Sequence, residues 1–600
     1  MIPASVVELP LAPSPWARLK DHKVAQWTLA YGAFAYALLH GATLLSDALE
    51  WPHVIVRVLA LLLVVGVPIV PVLAWYHGVR ALKRVSGSEL LLIALLLVVG
   101  GSLLWLYPHP ADEHATAATA GNVAMPAAVA VRTAPVFAPP AHSIAVLPFV
   151  NMSADPKQEY FSDGITEELL NSLSRLNDLQ VAARTSSFSF KGKDVDVATI
   201  ARKLNVGAVL EGSVRRAGNT VRITVQLINA VSGFHIWSQT YDRNLTDILK
   251  LQADVATTVA QQLEVRLVGD ETAKIELGGT KNPEAYDAYL RGLQLNRKVD
   301  ATEADFRKSL AAFDYAISLD PNFAAAYARR ASTLDAVYYS TSDVSARVGL
   351  NQQARIAAER AVALAPQLGE AHHALAITYV RGAPDLTQAS REFNRSLALA
   401  PGSAWVQVNT GWFDCWLGHF ESGVAAARRA VSLDPQNVRI RGVLGQILIY
   451  ARRYSEALVV LQDAQAMAPD SHDLEAQITS VLLASSQFEK ARSACEAHST
   501  PLDDGDRHYC LALVDHAESR KTDAERELEQ FKTIAGDSAA FRYAEIYAQW
   551  GDKASALRWL GEAQQLHDAA LVELRVDLFL DPIRDEPQFK VIEGRLNFPP

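Results

Sequence analysis

Cysteine is scarce in this chain: three in 600 residues, Cys415, Cys495 and Cys510. That is too few for a disulfide framework, and the spacing is too wide for a zinc site with close ligands. Catalytic motifs are missing as well. There is no Gly-Lys-Ser/Thr phosphate loop, no His-Glu-x-x-His, no Gly-x-Ser-x-Gly and no Gly-x-Gly-x-x-Gly. The adjacent His372 and His373 diverge by about 100° on a helix and make a poor metal pair. The chain therefore reads as a non-enzyme with no cofactor and no metal. Positive charge is also in deficit, 56 Lys and Arg against 66 Asp and Glu. Beyond residue 110 the balance is 49 against 61, a net of −12. This speaks against a nucleic-acid partner, since such affinity rests on neutralising phosphates. Long apolar runs, finally, are confined to the first 107 residues.

Those runs cover residues 24–45, 54–76 and 90–107. At 1.5 Å per residue each approaches or exceeds the thickness of a hydrocarbon core of about 30 Å, so three transmembrane helices are expected. Pro68 and Pro71 should kink the second. The tail 1–23 carries Arg18, Lys20 and Lys23, and the second loop carries Arg80, Lys83 and Arg84, whereas the first loop holds Asp47 and Glu50. The positive-inside rule then places the N-terminus in the cytoplasm and everything after 107 outside, which in a bacterial inner membrane is the periplasm. Arg57 dissents, and snorkelling to the outer interface accounts for it. Residues 108–142 are mostly Ala, Pro and Thr and read as an extended linker.

Residues 143–267 alternate strand and helix signals. A β-branched run over 144–150 precedes a helix expected from an Asp163 cap to Leu176, with Glu167 and Glu168 in its first turn. These acids could also serve as a general acid/base pair, but capping is the preferred reading. A strand at 179–183 and a helix at 195–204 follow. Strands at 206–215 and 220–228 flank Ala217, Gly218 and Asn219, a hairpin turn signal, and Val221, Ile223, Val225 and Leu227 alternate with Arg222, Thr224 and Gln226. Trp237 to Tyr241 closes the sheet. A helix over 245–267 carries Ile248, Leu251, Val255, Val259 and Leu263 on one face. The expected product is an α/β unit with a mixed sheet, joined to the C-terminal part of the chain through Trp237 and this last helix.

The stretches LPFVNMSADPKQEYFSDGITEELLNSLSRL, ARTSSFSFKGK and LNVGAVLEGSVRRAGNTVRITVQLINAVSGFHIWSQTYDR resemble the TolB-like N-terminal domain, related to FlgO-type domains. The resemblance implies a module of the kind found beside winged-helix domains of CadC-like regulators or beside adenylate cyclase domains. A cytoplasmic tail of 23 residues is too short for either output domain.

From residue 282 the pattern changes to small-residue helices with Pro321, Pro366, Pro401, Pro435 and Pro469 at intervals settling to 34 residues, which resembles tetratricopeptide (TPR) repeats. Small residues recur ten after the first four prolines (Ala331, Ala376, Gly411, Gly445), the fifth giving Thr479, and five before each (Ala316, Ala361, Ser396, Ala430, Ala464). A 45-residue interval implies an insertion near 338–345. The array is expected over 282–577 and a polar terminal cap over 578–600. The fold class is thus multidomain: transmembrane helices, then the α/β domain, then an all-α TPR superhelix. The TPR register implies a concave face lined by Glu370, His373 and Arg381, by Trp405, Val408, Trp412, Cys415 and Trp416, and by Arg439, Gln446, Ile449 and Tyr450. Tryptophans flanked by arginines suit a protein or peptide partner. Some of them could equally belong to the core between repeats. Cys495 and Cys510 fall on neighbouring helices, where either a disulfide or two buried thiols is compatible with the spacing.

Together these features lead to a membrane-anchored periplasmic scaffold or adaptor. One alternative is a signal-transducing sensor lacking its own output domain; another is a hydrolase with an unrecognised site in the central domain.

Overall fold

In the computed structural model the chain divides into two units, residues 1–131 and 132–600. The structure describes residues 137–600 except 177, 266–276, 297–300, 342–343, 382–383, 498–503, 567 and 600, and in the first unit only residues 35, 38, 40 and 63. Apart from those four residues, the three apolar runs and the linker before residue 137 lie outside the described residues. Among the described residues no helix is long and apolar enough to cross a membrane.

The second unit opens with a mixed sheet. Its strands are β1 (Ser143–Val146), β2 (Val150–Asn151), β3 (Gln180–Val181), β4 (Ala208–Ala217), β5 (Thr220–Asn229) and β6 (His235–Asn244). They lie in the order β3-β1-β4-β5-β6, with β2 beside β4. β1 runs parallel to both neighbours, and β4, β5 and β6 form an antiparallel meander. The β4–β5 turn is Gly218–Asn219, with Gly218 at φ +59°, a left-handed conformation that glycine adopts without a Cβ penalty. Alternation along β5 is as the sequence implies: Val221, Ile223, Val225 and Leu227 are buried and Arg222 is exposed.

Four helices cover this sheet: α1 (Glu159–Ser174), α2 (Arg184–Phe188), α3 (Val197–Leu204) and α4 (Ile248–Gln262). Helices α1 and α4 share a core with the inward side chains of β4 and β5. On the opposite face α3 buries Ile200, Ala201 and Leu204 with Ala145 and Val209. The Asp196 carboxylate caps α3 by accepting from Thr199 N–H, and Asn205, at φ +54°, ends it. Two expectations need correction. Helix α1 begins four residues before Asp163, after a short 3-10 turn that Asp155 caps by accepting from Lys157 N–H, so Asp163 caps nothing and pairs with Lys191 at 2.6 Å. The last helix ends at Gln262 rather than 267.

The rest is helical. The array comprises α5 (Pro283–Asn296), α6 (Glu303–Leu319), α7 (Ala324–Ser340), α8 (Arg347–Leu364), α9 (Gly369–Val380), α10 (Leu386–Leu399), α11 (Ala404–Trp416) and α12 (Phe420–Leu433). It continues with α13 (Val438–Tyr450), α14 (Tyr454–Met467), α15 (His472–Ala484), α16 (Phe488–Ala497), α17 (Asp504–Ala517), α18 (Lys521–Ala535), α19 (Ala540–Gln549) and α20 (Lys553–Gln565). Consecutive helices pack as pairs, α5 with α6 through α19 with α20, the organisation of a TPR-like superhelix. Every small residue read from the proline register, from Ala316 to Ala464, is buried where paired helices cross. Ser403 and Asn437 cap the helices that follow two of the prolines, accepting from the N–H groups of Val406 and Ile440.

The seam between sheet and array matches the expectation in its helix and departs from it at Trp237. Trp237 lies on edge strand β6, only partly buried. The expected last helix, α4, does form the seam, together with α1: Tyr286, Tyr289, Leu290, Leu293 and Phe313 belong to the same core as Leu169, Leu173 and Leu251. Gln252 on α4 donates to the buried Tyr286 hydroxyl at 2.7 Å.

The C-terminal segment is no mere polar cap. After α20 come 3-10 turns at Ala569–Glu573 and Asp581–Ile583 and helix α21 (Pro587–Arg595). Leu574, Leu580, Ile583 and Phe589 are completely buried. The segment folds back across the array, bringing Val572 against Phe393 and Phe413, and Val576 into the core of α11 to α14.

Candidate functional site

Three lengths of the first-helix face of the array can be distinguished by what covers them. Over the earlier pairs the α/β domain is seated. Glu167 and Glu168 do not stand in the first turn of α1; they point into this contact. Glu167, 2% exposed, pairs with Arg184 at 2.9 Å and lies 3.9 Å from Arg329 of α7. Glu168 accepts from the Tyr289 hydroxyl at 3.2 Å, and burial raises its pKa. Arg175 reaches Glu370 of α9 at 3.3 Å. Burial works against the charge of Glu370, yet Arg175 and Arg329 hold its carboxyl below the ordinary range. The cavity among Glu168, Arg175, Tyr289, Arg329 and Glu370 has about 10 Å³, room for one water molecule and not for a substrate. These carboxylates thus serve an interdomain contact, neither as caps nor as an exposed acid/base pair. A second contact falls on the turn between α12 and α13. The buried Asp434 carboxylate accepts from Ser186 N–H at 2.9 Å, Ser186 Oγ–H at 2.6 Å and Asn437 Nδ2–H at 2.7 Å, and Ala183 N–H donates to Leu433 C=O at 2.7 Å.

Over the later pairs the groove is filled by the chain's own C-terminal segment. This corrects the reading of Tyr450 as a partner-binding side chain: it is 3% exposed and its hydroxyl donates to Glu573 at 2.6 Å. Nearby, Tyr509 donates to Glu545 at 2.7 Å and Arg452 pairs with Asp581 at 2.8 Å. Burial pushes Glu573 up to about 7 and raises Glu545 and Asp577 too. Trp412 and Trp416, rings 5.5 Å apart, are only partly exposed and pack on the clusters that hold Val572 and Val576. Much of their surface is therefore core.

Between these two covered lengths the predicted side chains come together, with Trp405 and Arg439 exposed and His373 and Arg381 only partly so. Trp405 is 40% exposed, with the Arg439 guanidinium 5.3 Å from its ring centre. Arg381 pairs with Asp335 at 3.0 Å and stacks 4.5 Å over Tyr339, itself 57% exposed. His373 sits at 3.2 Å from Asn409, and burial lowers its pKa to about 4, so it is neutral at ordinary pH. Tyr339 escaped the sequence reading because it lies at the long 45-residue interval, where the proline register lapses. Cys495 and Cys510 are joined, their Cα atoms 6.0 Å apart, and Cys415 is a buried free thiol. Among the described residues no cluster of three or more His, Cys, Asp or Glu could hold a metal ion.

Residues 140–258 match the family described as HilA/YgeH-like transcriptional regulator, second domain. This covers the α/β domain and is a different description from the TolB-like one that the motifs resemble. The chain is also 45% identical over 187 residues to a provisionally assigned adenylate cyclase 3 of Rhizobium meliloti (strain 1021), a match covering 31% of each protein. The chain thus spans about a third of that curated relative. Among solved structures, it is similar to a thermophilic TPR protein of Thermus thermophilus, with 22% identity, TM-score 0.28 and coverage of 33% of this chain and 99% of the other. It is similar also to a tetratricopeptide repeat protein of Parabacteroides merdae ATCC 43184, with 13% identity, TM-score 0.33 and coverage of 45% and 98%.

Proposed function

We propose that the protein is a non-catalytic scaffold or adaptor that captures a protein partner on the open middle of its TPR-like groove. The observation that carries this is the selective exposure of Trp405, Arg439 and Tyr339 where the neighbouring groove is covered by the chain itself. Aromatic and arginine side chains of this kind dominate binding energy when a partner desolvates them. The test is photo-crosslinking in cells from an analogue at position 409 of the full chain, which is partly exposed beside Trp405. Trp405→Ala and Arg439→Ala should each lower the yield of the crosslinked partner at least about tenfold, equivalent to a typical hot spot. Undiminished yield with both would overturn the assignment.

The address belongs to the same reading. Three apolar runs flanked by Arg18, Lys20, Lys23 and by Arg80, Lys83, Arg84 favour an inner-membrane anchor with residues 108–600 in the periplasm. A C-terminal alkaline phosphatase fusion should be active and a C-terminal cytoplasm-dependent reporter inactive; the reverse pattern would place the groove in the cytoplasm.

A regulatory reading is favoured by the family matched over 140–258 and by the cyclase-named relative. In it, the TolB-like α/β domain passes the state of the groove to a separate output protein. The ionic contacts that tie α1 to α7 and α9 supply a physical link between the two.

A further inference from the structure

Strand β6 is an open edge. Its neighbour on one side is β5, and no strand lies on the other among the described residues. Leu245 N–H donates to Asn219 C=O at 2.9 Å, and the β5–β6 register runs without a shift from Thr220↔Asn244 to Leu227↔Trp237. Backbone direction alternates along an antiparallel ladder. The N–H and C=O groups of Arg243, Tyr241, Gln239 and Trp237 therefore point to β5, while those of Asp242, Thr240 and Ser238 point outward. Thr224 and Thr240 fit this parity: they form a non-hydrogen-bonded pair, the closer kind, and their hydroxyl oxygens are 3.0 Å apart.

Protected edges carry lysine, proline or an inward charge. From Ile236 to Tyr241 this one has none of them, and Ile236 and Phe234 beside it are 38% and 75% exposed. The strand also has a symmetry of its own. Around Gln239 the sequence reads Trp237, Ser238, Gln239, Thr240, Tyr241, aromatic and small hydroxyl residues mirrored about one glutamine.

We infer that β6 pairs antiparallel with β6 of a second copy of this chain about a two-fold axis at Gln239, making one continuous sheet. In that register Ser238 faces Thr240 of the other copy, and both are residues whose backbone groups point outward, so the ladder hydrogen bonds form. Gln239 meets its own counterpart, and Trp237 meets Tyr241 on the helix-covered face. A register shifted by one residue would set outward groups against inward ones and make none of these bonds. Such a self-complementary patch is the requirement for an isologous dimer. It lies apart from the groove and does not depend on the groove reading.

Full-length Gln239→Cys tests this. A non-hydrogen-bonded pair brings Cα atoms to about 4.5 Å, within disulfide range. Under mild oxidation it should give a covalent dimer on non-reducing gels, at least about tenfold above Val231→Cys, an exposed control in the β5–β6 turn whose two copies would stand roughly 35 Å apart. Thr240→Pro removes an outward N–H and is tolerated at an edge, so it should yield a folded monomer by circular dichroism and light scattering. A Gln239→Cys crosslink no stronger than the control, or a wild-type mass that Thr240→Pro leaves unchanged, would overturn the proposal.

Discussion

Replacing Asp434 with alanine is expected to free the α/β domain from the turn between α12 and α13 while the helix pairs stay formed. The carboxylate is 1% exposed and accepts three hydrogen bonds, two of them from Ser186. Truncation strips buried donors of their acceptor, including a backbone N–H that has no water to turn to. A loss of about 2–4 kcal/mol is expected, since each unsatisfied buried group costs roughly 1–3 kcal/mol. The loss should be local, because the apolar seam at Tyr286, Tyr289 and Phe313 remains. Amide exchange at Ala183 and Ser186 should accelerate by at least about a hundredfold, the kinetic image of such a loss, with little change at Tyr289. Unaltered exchange at Ser186 would mean that the contact carries no energy.

The second large effect concerns pH. Glu573 has a folded-state pKa of about 7, raised first by burial and further by Asp577 and Asp568, against the ordinary 4.5. The folded state therefore holds a proton that the unfolded state releases between those values. Stability is fully present below about 4.5 and falls as pH rises through the window to 7. Glu545 and Asp577 shift upward and act in the same direction, whereas Arg452 and Arg542 oppose them. Because Glu573 is only partly buried, solvent screening reduces the effect to something on the order of 2 kcal/mol. Glu573→Gln keeps an acceptor for the Tyr450 hydroxyl without the charge. It should match wild type in urea melts at pH 4.5 and exceed it by that amount at pH 8. Equal stability of the two proteins at both pH values would remove Glu573 as the source.

Local chemistry made much of the architecture readable. The mirror of apolar and polar residues along β5 and the glycine at its turn identify a hairpin without reference to anything distant. The 34-residue proline spacing does the same for the helix pairs. Helix α1 was harder. Ser162 and Gly164 weaken its helical signal, so an Asp followed by two glutamates looked like a helix start. Gly164 is there because a Cβ would come 2.8 Å from Leu290 of α5, a reason that exists only once the two segments have met. The Ser186–Asp434 contact spans 248 residues, and Asp434 before Pro435 reads locally as an ordinary turn residue. The groove was half legible. Side chains aimed at it follow from the register, but which of them stay accessible depends on where the α/β domain and the C-terminal segment come to rest. Tyr450 and Trp405 occupy equivalent faces and differ only in that.

The shared core of α1, α4 and the first helix pair has a consequence for inheritance. The matched family stops at residue 258, whereas the core it belongs to runs on to Phe323 and Ala326. A fragment cut at the family boundary would bare Leu169, Leu173 and Leu251 where Tyr286, Tyr289 and Phe313 now lie. The piece of this chain that could be transplanted intact into another protein is accordingly longer than the piece that is recognisably related, and a graft meant to carry the α/β domain elsewhere should take residues 140–326 with it.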